Sequence, residues 1–309
     1  MSYAALYSFF ARAFHHPPDN DFLNLARELP ELEPFLEQNL VEQYSWLFEF
    51  NVYPYASVFL DQSGMLNGDW AGFVTGVYEA LGLELSLSAG LAAADHLSAE
   101  LEALAVLCER SETQNEVEKQ KAEHGQRVLL LEHLLPWLPS FSFAVSRIHE
   151  GFYSMLVRLC LDTVLEHATD LIEETPAPTF HFPEASEAFS YQQPGDFKKK
   201  AGEAREQLQK LITPAHSGLF LSREDITQLG RKLDLPVRFA ERPFMLENLV
   251  TSAADADLLD ELFAEWKNLF NKEIRNFNKL GKEQVPLSSF WLEWQARLFD
   301  SSNYLSELV

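Results

Sequence analysis

Nine histidines, His15, His16, His96, His124, His133, His149, His167, His181 and His216, are the side chains best suited to hold a metal or move a proton. No two stand three or four residues apart, and none is the last residue of a Glu-x-x-His motif. A helical bundle site for iron or zinc needs that spacing to place its ligands on one face, so no metal site is expected. Gly-x-Ser-x-Gly, Gly-x-Gly-x-x-Gly and the phosphate-cradling P-loop are also absent. Cys108 and Cys160 fall on apolar helical stripes and read as two reduced core thiols. Carboxylates are plentiful, but a catalytic dyad needs two of them held in one cleft, which spacing alone does not show. These absences argue against an enzyme and against a bound cofactor.

Gly64, Gly68, Gly72 and Gly76 recur every fourth residue. In a membrane span this would be a helix-dimer face, but Asn67 and Asp69 interrupt it and no apolar 20-mer surrounds it. The expectation is that Gly64 and Gly68 shape a loop and that Gly72 and Gly76 let two helices approach closely.

The net charge of −23 is unevenly spread. Residues 1–175 carry 27 acidic and 8 basic side chains, and residues 176–309 carry 20 and 16. A surface so negative in its first part repels nucleic acid and anionic lipid and attracts cationic partners, although solubility alone is served by the same charge. The N-terminus lacks the basic and apolar regions of a secretory signal, and uncharged stretches such as 134–146 are too short and too Pro-broken to cross a bilayer. A cytoplasmic protein with no stable membrane insertion is expected.

The elements that must position any site are helices. Leu97, Leu101, Leu104 and Leu107 make one apolar stripe, with Asp95 ahead of it as an N-cap. Val145, Ile148, Phe152, Met155, Leu156, Leu159 and Leu165 extend the pattern along one longer helix. No stretch alternates with period two, so the fold class is all-α, a helical bundle with an extra helical C-terminal region. Residues 176–196 are Pro-rich and aperiodic and read as a linker between a helical domain over 1–175 and a helical extension over 197–309. In that extension, Ser222 starts one helix and Leu258 to Phe277 form a strongly amphipathic run. Lys198-Lys-Lys reads as a solvated helix start, and a helix-turn-helix over 222–235 is disfavoured because it lacks a basic face.

Three segments are unusual for plain core. Tyr53, Tyr55 and Phe59 crowd around Pro54, which forces Tyr53 into an extended conformation. Asp95-His96 opens the Leu-rich helix, with Glu100 one turn on. Finally, His133 and Trp137 sit in a Leu- and Pro-rich run that is followed by Phe152-Tyr153.

In order and spacing these segments resemble the TorD/DmsD-type maturation chaperones of molybdopterin reductases. The family pattern matches Pro54 to Asp61, then Asp95-His96-Leu97 through Glu100-Leu101, then His133 to Trp137 with Phe152-Tyr153, and takes in Leu6 to Phe10 and Pro17-Pro-Asp. It covers residues 1–170, and Ala94 departs from it where the family has Pro. The resemblance implies an all-helical cytosolic chaperone that binds the twin-arginine leader of a molybdopterin reductase precursor and delays export until the cofactor is inserted. It also implies a site of Tyr55, Phe59, Asp61, Asp95, His96, His133 and Trp137, to which the residues themselves add Tyr53 and Glu100.

A leader of two guanidinium groups ahead of an apolar stretch calls for an anionic rim beside an aromatic-lined groove. Arg–carboxylate hydrogen bonds contribute about 1.5–3 kcal/mol each. Burying roughly 400 Å² of apolar leader adds on the order of 10 kcal/mol before ordering losses. Micromolar affinity is a reasonable balance. Against this stand simpler roles: the aromatics plug a helix junction, Asp95 only caps, and His133 and Trp137 are core. An adaptor for a reductase subunit without a leader, or a helical enzyme or regulator with no visible motif, fits the same pattern. A homodimer formed by helix exchange is equally compatible.

Overall fold

The computed structural model describes residues 1–36, 39–83, 93–172 and 201–308, with backbone only over 201–204. The chain divides into two compact units, Met1–Pro178 and Thr179–Val309. The expected Pro-rich linker and Lys198 to Lys200 lie outside the described residues. Among the described residues there is no strand, only a single antiparallel bridge between Tyr55 and His96. The fold is all-α. No single helix among them is long and apolar enough to cross a membrane.

In the first unit α1 (Tyr3–His15) starts under the Ser2 hydroxyl, which accepts the Ala5 N–H. It buries Tyr7, Phe10 and Phe14 completely. Helix α2 (Asn20–Arg27) is capped by Asp19 and brings Phe22 onto Phe9 at 5.0 Å between ring centres. Helix α3 (Leu40–Tyr44) passes into a π-helical stretch, Ser45–Asn51, and the short α4 (Ala56–Leu60) and α5 (Asp69–Ala80) follow. Helix α6 (Leu97–Ser111) packs along α1, and its four stripe leucines are all buried. Helix α7 (Glu116–Val128) also runs into a π-helical stretch, Leu129–Leu134, ahead of α8 (Leu138–Ile148) and α9 (Phe152–Ile172).

Three local expectations are corrected. The run from Val145 to Leu165 is two helices rather than one, because Gly151 takes φ +131°, which only glycine adopts without strain. A Cβ added at Gly72 or Gly76 would meet nothing within 4 Å, so among the described residues no second helix approaches α5 at these glycines. The loop role of Gly64 and Gly68 agrees with the structure: Gly64 has φ +60° and Gly68 presses on Asp61. The cap of α6 is the His96 ring, whose Nδ1 accepts the Ser98 N–H at 3.1 Å, and not Asp95.

The second unit comprises α10 (Ala201–Ile212), the one-turn α11 (Pro214–Ser217), α12 (Arg223–Lys232), α13 (Arg242–Asp255), the long α14 (Leu259–Glu283) and α15 (Leu292–Glu307). Ser222 and Asp225 close a reciprocal capping box on α12. Gly218, at φ +79°, lets α11 meet α15 so closely that a Cβ would lie 2.9 Å from the Leu298 nitrogen. The expected amphipathic run is α14, with Leu262, Phe263, Trp266, Phe270 and Phe277 buried.

Candidate functional site

The three singled-out segments meet in the first unit. Pro54 ends the π-helical stretch that precedes it and leaves the chain extended, so its main chain pairs with the turn before α6. Leu97 N–H donates to the Pro54 carbonyl at 2.8 Å, and Ala56 N–H donates to the Asp95 carbonyl at 2.9 Å. The Asp95 side chain completes the clip by accepting the Ser57 N–H through Oδ2 at 2.9 Å. Tyr55 lies edge-on to His96 with ring centres 4.6 Å apart. From the third segment Trp137 reaches Phe59 at 5.5 Å, and one turn further Phe141 joins both rings.

Burial sorts these residues into an interior and a rim. Phe59, Asp95, Glu100 and Trp137 are completely buried, and His96 and His133 nearly so. Tyr53, Tyr55 and Asp61 are half-buried and form the part that solvent reaches. Only one of the three expected carboxylates, Asp61, therefore stands at a rim. It accepts the Trp70 N–H at 3.1 Å, at the start of α5. Burial pushes the Asp61 carboxyl up to about 6, partly offset by the Trp70 N–H and assisted by the negative charges of Asp69 and Asp95.

Inside, Glu100 is held well above the usual carboxylate range, first by burial and then by Asp95. The Trp137 indole pulls the other way but closes no hydrogen bond with it. Both Glu100 oxygens, Asp95 Oδ1, Trp137 Nε1, Ser57 Oγ and Ser140 Oγ have no partner among the described residues. Burial lowers His96 to about 3 and His133 to about 4, so both rings are neutral at pH 7. His133 sits 5.9 Å from the Trp70 ring with its Nδ1 also unpartnered. Tyr53 lies in the same segment, and its carbonyl accepts the Tyr55 N–H at 2.9 Å.

Ser57, Ser140 and Tyr78 belong to the site although their types did not draw attention. Tyr78 donates to the Ala94 carbonyl at 2.9 Å and so fixes the turn carrying Asp95. The signal was periodicity: Trp70, Val74 and Tyr78 share one face of α5, and Ser140 lies beside Phe141 in the apolar start of α8. Cys108 and Cys160 are free and buried, as expected of core thiols, and burial pushes the Cys108 thiol up to about 12. Among the described residues no three His, Cys, Asp or Glu side chains gather as a metal would require.

Residues 17–142, which contain all three segments, match the family model described as nitrate reductase delta subunit. Chaperone protein TorD of Vibrio vulnificus strain YJ016 is 34% identical over 108 residues, 34% of this chain and 50% of that protein. Chaperone protein TorD of Vibrio cholerae O395 is 33% identical over 127 residues, 40% of this chain and 57% of that protein. The one from Vibrio parahaemolyticus is 27% identical over 143 residues. The chain spans about half the length of the first of these relatives. No solved structure matches it. Over residues 17–142, within its first compact unit, the chain is similar to the TorD chaperones and to the family model described as nitrate reductase delta subunit.

Proposed function

We propose that this protein is a non-enzymatic assembly chaperone for a redox enzyme, and that it binds the twin-arginine leader of a molybdopterin reductase precursor in the cytoplasm. The observation that carries the reading is the convergence of the Tyr53–Asp61 segment, the Asp95–Glu100 turn and the His133–Trp137 segment on one aromatic and acidic centre. Half-exposed Tyr53 and Tyr55 offer rings to an apolar or cationic partner, and Asp61 offers a carboxylate beside them. The acidity of residues 1–175 draws a cationic segment in at long range.

A leader peptide of such a precursor, titrated into the purified chain by calorimetry, is expected to bind with a Kd on the order of 1–10 μM. The second reading is an adaptor that recognises a reductase subunit without a leader, and the description of the matching family model as a reductase subunit favours it. Equal capture of the leader-deleted and the full-length subunit would select that reading over the first.

A further inference from the structure

Helix α14 carries its charges in two blocks. Asp260, Glu261 and Glu265 stand in its first two turns, and Lys272, Arg275, Lys279 and Lys282 stand in its second half. From Asn268 to Lys282 the one carboxylate is Glu273, which is buried. At about 100° per residue the four cations fall within a sector of about 80°, opposite the buried Leu262, Trp266, Phe270 and Phe277. All four are exposed. Lys279 reaches Glu283 at 3.7 Å, and among the described residues Lys272, Arg275 and Lys282 close no ion pair. A helix C-terminus favours cations, but that accounts for Lys282 in the last turn and not for Lys272 and Arg275, two or more turns earlier. A face that is merely solvated mixes both signs and pairs them four residues apart. This stripe has one such pair and belongs to a chain of net charge −23.

Beside the stripe lies exposed apolar surface. Helix α15 runs back along α14, and their seam is marked by Gln295 donating to the Asn278 side chain at 3.2 Å and Ser302 donating to that of Asn271 at 3.4 Å. Asn271 and Asn278 border the cationic sector of α14. On α15, Leu292 and Phe299 come next to Gln295 and Ser302 around the helix, so they lie across the seam from Arg275 and Lys282 and on the same side of the pair. They are 57% and 58% exposed, and Ala296 between them is exposed as well. Val285, in the 3-10 stretch Val285–Trp291 that joins the two helices, is also exposed. Basic side chains alongside bare apolar ones match a partner that is anionic at its face and apolar beneath it.

We propose that the α14–α15 pair is a docking surface for an anionic lipid bilayer, with Lys272, Arg275, Lys279 and Lys282 on the headgroup phosphates and Leu292 and Phe299 at the acyl boundary. The contact is peripheral and needs no spanning segment. Nucleic acid offers the same phosphates to the cations but no apolar layer to Leu292 and Phe299. Charges farther than about 8 Å from a surface are screened at physiological salt, so the local pattern and not the net charge decides the contact. Each Lys or Arg near an anionic surface strengthens partitioning about fivefold, and four of them with two shallow anchors give reversible attachment. The proposal does not rest on the peptide-binding reading.

The test mixes the full chain with vesicles of phosphatidylcholine alone, or with about 30% phosphatidylglycerol added, and measures bound protein by flotation. At physiological salt the anionic vesicles should bind at least about tenfold more tightly. Arg275→Gln combined with Lys282→Gln should weaken that binding about 25-fold. Lys119→Gln combined with Lys121→Gln removes the same charge from the first unit and should change it by less than about twofold. Leu292→Ser combined with Phe299→Ser should weaken it about tenfold. All six positions lie at the surface, and circular dichroism should show each pair folded as wild type. Equal binding to both vesicles, or an equal loss from both charge pairs, overturns the lipid surface. A single-stranded oligonucleotide that displaces the vesicles, and whose own binding ignores Leu292→Ser with Phe299→Ser, assigns the stripe to nucleic acid and overturns it too. Binding to neither vesicle also overturns it and leaves the peptide-binding reading to its own titration.

Discussion

The two units differ in how fully they engage their buried charges. In the second unit Asp225 accepts from both the nitrogen and the hydroxyl of Ser222, at 2.9 and 2.7 Å. Arg242 donates to the Leu221 carbonyl at 3.0 Å and stacks over Phe220. Glu273 accepts from Asn276. In the first unit Glu100 has no partner on either oxygen among the described residues, and Asp95 has one oxygen engaged. Elsewhere in that unit polar groups are well served: His167 is held between the Tyr7 hydroxyl at 2.9 Å and Gln126 at 3.2 Å, and Gln126 donates onward to the Leu107 carbonyl. Buried polar atoms without a partner among the described residues also occur at Trp266, Trp291 and Ser301 of the second unit, but Glu100 is a buried carboxylate with neither oxygen engaged. A buried carboxyl with no partner among the described residues costs stability whenever it ionises, and Glu100 is the clearest case in the first unit.

The sharpest way to break the comparison is to remove a partnered charge. Asp225→Ala deletes the capping box of α12 and leaves Ser222 without its acceptor, which should cost about 2–3 kcal/mol in denaturant unfolding of the second unit. A loss under half of that would mean the pairing there is incidental. Next comes the bare charge, where the sign reverses. Because the folded state holds the Glu100 proton and the unfolded chain releases it above pH 4.5, wild-type stability declines as pH rises past that value. Glu100→Gln escapes this loss. It should be more stable than wild type by about 1–3 kcal/mol at pH 8, with a smaller gain at pH 5. A destabilised variant with a flat pH difference would show that Glu100 is ionised and served in the fold. The smallest effect separates two buried serines. Ser217 bonds to the Thr213 and Leu219 carbonyls and accepts the Leu219 N–H, so Ser217→Ala should cost about 1 kcal/mol. Ser140→Ala, which removes an unpartnered hydroxyl, should lie within about 0.5 kcal/mol of neutral.

Much of the architecture was legible because periodicity is a strong signal. The leucine stripe of α6 and the amphipathic run of α14 are where spacing put them, with Leu97, Leu101, Leu104, Trp266 and Phe277 fully buried. The three site segments were found by residue type and order, and their meeting is a matter of tertiary pairing that no local pattern announces. The depth of the carboxylates could have been read and was not: Glu100 falls at i+3 from Leu97 and one residue before Leu101, on the core side of its own stripe. What hid it was the habit of assigning charge to the surface. The break at Gly151 was missed because apolar spacing carries across a left-handed residue when both flanking helices bury the same side. The cap of α6 was assigned to Asp95 because aspartate is the commoner cap, whereas here its carboxylate is already committed to Ser57.

Both π-helical stretches end within a few residues of a site segment, Ser45–Asn51 before Tyr53 and Leu129–Leu134 before Trp137. Each wide turn absorbs one extra residue, and restoring ordinary winding without losing that residue would swing the downstream side chains by about 100° around the axis. The rings that meet at Phe59 and Trp137 would then point apart. Descendants of this gene should accordingly vary in length at the surface turns between helices and hold a fixed length across these two stretches, since a single codon gained or lost there dismantles the meeting of the three segments.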